Sequence, residues 1–192
     1  MKRLLLLCAT LLVTANTFVC AQDNELPEVV MHTNMGDITI EVFAQKAPHS
    51  AENFLRYVKD GYYDGTIFHR VIPGFVIQGG GFTTEYKQAD GQRDPIKNES
   101  DNGLKNKRGT LSMARTPNPD SATSQFFINL DDNTQLNYRK GHPGYAVFGK
   151  VIKGMAVVDK IAAIPTGAAG PFRQDVPQKT VVIESAQVVS QQ

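Results

Sequence analysis

The stretch Phe68-His69-Arg70-Val71-Ile72-Pro73-Gly74-Phe75-Val76-Ile77-Gln78-Gly79-Gly80-Gly81-Phe82 (FHRVIPGFVIQGGGF) decides how the rest of the chain is read. Apolar residues alternate through its middle, and Pro73-Gly74 supplies a turn, so two short strands fold back on one another. That return brings Arg70 and Gln78 onto one surface with Phe75. An arginine, a glutamine, an aromatic and three consecutive glycines in fifteen residues are more than a purely structural strand needs.

Upstream of this stretch, Val29–His32 and Asp37–Phe43 read as two strands joined at Asn34-Met35-Gly36, with Ile38, Ile40 and Val42 on one face of the second. Ala47-Pro48 opens a helix, because proline is tolerated at a first helical position. Ala51, Phe54, Leu55 and Val58 form its packing face, Glu52, Arg56 and Lys59 its wet one, and Asp60-Gly61 ends it.

Downstream, a polar loop (Thr83–Asp94) leads into a glycine- and asparagine-containing passage up to Gly109, of a length that points to function or mobility. Strands are predicted at Thr110–Ala114, Ser124–Leu130, Gly144–Val151 and Thr180–Val189, with a short helix over Lys153–Ile161. Short strands with two helices suggest a mainly β, closed antiparallel barrel whose first and last strands pair. No repeat or internal domain boundary is visible.

The chain has 192 residues, 41% apolar and 20% charged, enough for one domain with a real core. Met1-Lys2-Arg3, an apolar run to Val19 and the small-residue close at Ala21 have the layout of a secretory signal peptide. The expected division is therefore a signal peptide (1–21), a short linker (22–27) and one domain (28–192). An uncleaved anchor is the alternative, but Thr14, Asn16 and Thr17 interrupt a run that would need about 20 apolar residues. A lipid anchor on Cys20 finds no small residue beside it. Both cysteines, Cys8 and Cys20, fall in the leader, so no disulfide is expected in the mature chain. Loss of Lys2 and Arg3 leaves 18 basic against 19 acidic residues, a formal charge of −1 that offers no footprint for nucleic acid.

His32, His49, His69 and His142 lie far apart with no paired ligand spacing, so no metal site is expected. There is no G-x-S-x-G elbow, and the three glycines do not open a helix as a phosphate loop would. Asn98-Glu99-Ser100 is a glycosylation triplet, relevant only on a eukaryotic secretory route. What remains is a polar and apolar constellation without nucleophile, acid or cofactor, suited to binding and reshaping.

FHRVIPGFVIQGGGF, followed by Arg108-Gly-Thr-Leu-Ser-Met-Ala114, Ser124-Gln-Phe-Phe-Ile128 and Val147-Phe-Gly-Lys150, resembles the cyclophilin-type peptidyl-prolyl cis/trans isomerases over essentially the whole mature chain. With the leader and the linker Ala114–Ser124, the chain is similar to the periplasmic cyclophilins of Gram-negative bacteria. The resemblance implies an eight-stranded antiparallel barrel capped by two helices. It also implies periplasmic isomerisation of X-Pro bonds in unfolded or partly folded polypeptides, without cofactor and away from the membrane after signal cleavage; no sequence feature demands more than a monomer.

Carried over residue by residue, the resemblance makes Arg70 the catalytic arginine, with Phe75 and Gln78 beside it. Phe75, Phe127 and Leu136 match the walls of a proline pocket, and Val76 stands where methionine is common. Gln78, Ala114, Arg115, Thr116 and Gln125 match positions that hold the peptide backbone or line an adjoining pocket. Tyr145 stands in place of a histidine, and Gln135 in place of a tryptophan that contacts cyclosporin, which implies weak sensitivity to that compound. Read alone, Phe75, Phe127 and Leu136 are as compatible with core as with pocket, and His69 is assigned to packing and hydrogen-bonding support. Two other readings stay open on the residues: a proline-motif binding module or holdase that does not depend on the arginine, and a structural barrel in a secreted complex.

Overall fold

Glu28–Thr33 (β1) and Gly36–Val42 (β2) form an antiparallel hairpin, and they bury Val29, Met31, Ile38, Ile40 and Val42 completely. The computed structural model describes residues 26–189. The leader and most of the linker therefore lie outside the described residues. Pro48–Lys59 (α1) follows, with Pro48 in its first turn and Ala51, Phe54, Tyr57 and Val58 turned into the core. Its free N-terminal donors are met from a distance: the Glu99 carboxylate accepts from the backbone of His49 (3.0 Å) and Ser50 (2.8 Å) and from the Ser50 hydroxyl (2.7 Å).

The quoted stretch forms Arg70–Ile72 (β3) and Val76–Gly79 (β4), hinged at Gly74, where φ is +73°. Thr110–Met113 (β5), Phe126–Asn129 (β6) and Val147–Lys153 (β7) complete the interior of the sheet. Met155–Ala162 (α2) starts two residues later than its pattern suggests. Gly154 takes φ +90° so close to β2 that a Cβ there would sit 2.2 Å from the Asp37 carbonyl oxygen.

One hairpin has no counterpart in the sequence reading: Thr166–Ala169 (β8) pairs with Phe172–Pro177 (β9) outside the main sheet. Its Thr-Gly-Ala-Ala strand has little β propensity, and its turn residues read as loop. Ile183–Val189 (β10) then returns beside β1.

The eight-stranded antiparallel sheet runs β10-β1-β2-β7-β5-β6-β4-β3, so the expected pairing of first and last strands holds. Closure is looser than expected. The ends β3 and β10 are joined just outside the named strands, by an Ile67–Val182 bridge with Phe68 N donating to Val181 O at 2.9 Å and Ile183 N to Thr66 O at 2.8 Å.

Register decides which residues serve the core and which the surface recess. Val71, Ile77, Ile128 and Leu111 lie opposite one another across β3, β4, β6 and β5, and all are fully buried. The next rung is Arg70, Gln78, Phe127 and Ser112, with Arg70 and Gln78 only half-buried. Side chains alternate between faces along a strand, so a slip of one residue would exchange the two sets.

Candidate active site

Arg70 and Gln78 are cross-strand partners, and Arg70 Nη1 donates to Gln78 Oε1 at 3.2 Å. The Gln78 amide in turn donates to Gln125 Oε1 at 3.0 Å, so Arg70, Gln78 and Gln125 form one chain of hydrogen bonds. A cavity of about 210 Å³ opens beside them. Phe75, Val76, Phe127, Leu136 and Tyr145 give it apolar walls, while Arg70, Gln78, Ala114 and Arg115 complete its edge. Thr116 and Gln125 do not reach this recess. They line a second, polar one of about 350 Å³ that shares Gln78, Ala114 and Arg115 with the first. All eleven residues singled out in the sequence therefore fall on two adjoining recesses.

The walls are fixed by their main chain. The Phe75 carbonyl accepts from Leu130 N at 2.9 Å and from the Asn133 amide at 2.8 Å. Asn106, 2% exposed, donates through its amide to the carbonyl oxygens of Leu136 (3.1 Å) and Tyr145 (3.3 Å). Its own amide oxygen accepts from the Ser112 hydroxyl at 2.7 Å and from the Asn129 amide at 3.3 Å. Asn106 carries no motif that marks it in the sequence. The signal was weak: one asparagine in a polar loop whose partners lie up to 39 positions away.

Arg115 ties the rim together. Its guanidinium lies 4.5 Å from the centre of the Tyr145 ring and donates to the carbonyl oxygens of Gly144, Thr116 and Pro143 at 3.2, 2.9 and 2.8 Å. Tyr145 in turn meets Phe127 edge-on, with ring centres 5.5 Å apart. A separate depression beside α1 is lined mostly by charged and polar side chains, among them the Arg56–Glu52 pair, with Pro95 and Ile96 as its apolar members.

His69 takes no part in this surface. It is 3% exposed, packed 4.7 Å from the Phe82 ring and 5.4 Å from Phe172, and its Nδ1 has no hydrogen-bond partner. Burial, reinforced by the neighbouring Arg70 charge and opposed by a hydrogen bond with the Ile67 backbone, pushes its pKa down to about 4. Both its packing and a hydrogen bond with the Ile67 backbone fit the expected supporting role, while Nδ1 contributes no bond. Asn98 is equally committed, since its amide donates to the Pro119 and Gly144 carbonyls. No group of three or more His, Cys, Asp or Glu among the described residues is placed to hold a metal ion.

The curled antiparallel sheet thus carries, on the face away from its core, a recess with aromatic and aliphatic walls and an arginine at its edge. The family model described as cyclophilin type peptidyl-prolyl cis-trans isomerase/CLD matches residues 28–188. A peptidyl-prolyl cis-trans isomerase of Acinetobacter baylyi is 55% identical over 190 residues, covering 99% of this chain and 97% of that one. Peptidyl-prolyl cis-trans isomerase B of Escherichia coli is 56% identical over 164 residues, covering 83% and 98%. A Cryptosporidium parvum cyclophilin, crystallised in the presence of the dipeptide Ala-Pro, superposes with a TM-score of 0.69 at 31% identity, covering 85% of this chain and 99% of that one. The chain belongs to the cyclophilin-type peptidyl-prolyl cis/trans isomerases.

Proposed function

We propose that the protein assists the folding of exported polypeptides in the periplasm by accelerating X-Pro rotation through a non-covalent step centred on Arg70. The observation that carries this reading is the Arg70 guanidinium at the edge of an apolar recess sized for a small ring. An X-Pro amide crosses a barrier of about 20 kcal/mol in tens of seconds. Turnover in milliseconds requires roughly four decades, on the order of 5–6 kcal/mol, to be removed.

At the twisted transition state amide resonance is lost and the proline nitrogen regains a lone pair, which a guanidinium N–H can meet. Arginine suits this because it stays charged, presents fixed donors and gains strength where water is partly excluded. Phe75, Phe127 and Leu136 would grip the ring. Gln78, with Ala114, Arg115, Thr116 and Gln125 along the second recess, would hold the preceding segment still while the bond turns. The reading includes a monomer.

Two pH measurements test the catalytic part together. No titrating group is assigned to the catalytic step, and His69, the nearest imidazole in sequence, is neutral in this range, so kcat/KM for an X-Pro peptide is expected to be flat between about pH 6 and 9. A limb near 6.5 would overturn the assignment. Stability should behave differently. The unfolded chain protonates His69 near pH 6.5 and the folded chain only near 4, so stability from the neutral ring is present above about 6.5 and lost as pH falls towards 4. That loss is about 3 kcal/mol, and His69→Phe should remove it from an acid titration of the fold.

Export rests on the charged start, apolar run and Ala21 of the leader. Sequencing the N-terminus of the protein released by osmotic shock should find Gln22. Protein retained in the cytoplasm with Met1 intact would reject this part of the reading.

A further inference from the structure

We propose that Asp175 is a positioning residue for Arg70, acting from a hairpin that lies outside the main sheet; this rests on Arg70 being the catalytic donor. Asp175 Oδ2 lies 3.8 Å from Arg70 Nε, while Gln78 Oε1 holds Nη1. Among the described residues Nη2 makes no hydrogen bond, so the donors left for a substrate are fixed by which two corners are held. Gln78 alone leaves the guanidinium free to swing about that contact. A carboxylate beside Nε supplies the second anchor. The side chain of Asp175 is 24% exposed and that of Arg70 40%, so the pair is only partly screened by water.

The backbone gives an independent indication. Asp175 has φ +65°, a left-handed conformation that costs most side chains energy and that glycine would occupy freely. A carboxylate held there is consistent with a use for the side chain. The hairpin is seated firmly enough to act as a brace: Val176 is 1% exposed, Phe172 packs on His69 and Phe82, and Gln178 N donates to Pro165 O at 2.8 Å. Oδ2 also accepts from the Gln174 amide at 3.3 Å, which limits its own freedom. The same strand thus packs against His69 and sets a charge beside Arg70, so the first residue of β3 and the residue before it are supported from one element.

The test compares Asp175→Asn and Asp175→Gly, both of which accept a left-handed backbone, in the full-length mature enzyme. The readouts are kcat and KM on a tetrapeptide with one Ala-Pro bond, thermal melting, and the Arg70 Nε–H signal in a 15N–1H spectrum. Both variants should lose about two- to fivefold in kcat, the scale of one partly exposed ion pair, with KM and Tm unchanged and the Nε–H signal shifted. Adding Gln78→Ala should cost more than the product of the single losses, because the guanidinium then has neither anchor. Unchanged or increased kcat would overturn the proposal, as would a loss that follows Tm or KM. Arg70→Ala, measured alongside, separates the two levels. If it stays active, the assignment of Arg70 falls and the positioning role with it. If it is inactive while both Asp175 variants are fully active, only the positioning role falls.

Discussion

Arg70→Ala is expected to lower kcat/KM by about 10²- to 10³-fold, the usual cost of removing one preorganised donor from a developing charge. The fold should barely notice. The side chain is 40% exposed, its hydrogen bond to Gln78 lies at the half-buried edge of the recess, and its contact with Asp175 is an ion pair worth about 1 kcal/mol at most in water. Circular dichroism and melting should therefore match the wild type while peptide exchange slows. Arg70→Lys should recover little, because an ammonium is a point charge that cannot keep one donor on Gln78 and present another at a fixed angle. A folded Arg70→Ala variant within about threefold of wild type would refute the mechanism. If peptide still bound and neither protein accelerated exchange, the recess would be a recognition module.

The second large effect contrasts two adjacent residues. Phe126 is fully buried, edge-on to Phe54 (5.7 Å), Tyr63 (5.5 Å) and Phe68 (6.1 Å), and so close to Gly80 that a Cβ there would lie 2.9 Å from its ring. Phe126→Ala should cost about 3–5 kcal/mol, on the order of 10 °C in Tm, because the surrounding rings cannot close over the space left. Phe127, one peptide further on, is 4% exposed but lines the recess. Its truncation opens a cavity already in contact with solvent, so about 1–2 kcal/mol of stability is expected to go, along with most of the affinity for proline. Denaturant melts and peptide titrations of both variants decide the matter. A Phe127→Ala variant less stable than Phe126→Ala would mean that the two faces have been assigned the wrong way round.

Those two phenylalanines also show where reading the sequence stops. The alternation in FHRVIPGFVIQGGGF was enough to place Arg70 and Gln78 together, because a tight turn leaves only one way to pair them. It was not enough to separate Phe126 from Phe127: both sit in an apolar run, and only the neighbours in β4 and β5 decide which faces the core. The start of α1 and the terminal strand pairing follow from local pattern and turn chemistry, whereas α2 begins two residues past its pattern, after Gly154. The β8–β9 hairpin does not, because its residues are weak strand formers held by contacts distant in sequence. Asp175 therefore looked like one more loop acid, although it lies beside a guanidinium 105 positions earlier in the chain.

Asn106 has a consequence for how such a surface can change. It grips Leu136 and Tyr145 by their carbonyl oxygens and makes no demand on the side chains those residues carry. The outline of the recess is thus anchored separately from its lining. On the proposed reading, substitutions at 136 and 145 would alter which peptides are preferred while the main chain stays in place. The lining of the recess can in this way change without the sheet being refolded, provided that the asparagine beneath it is kept.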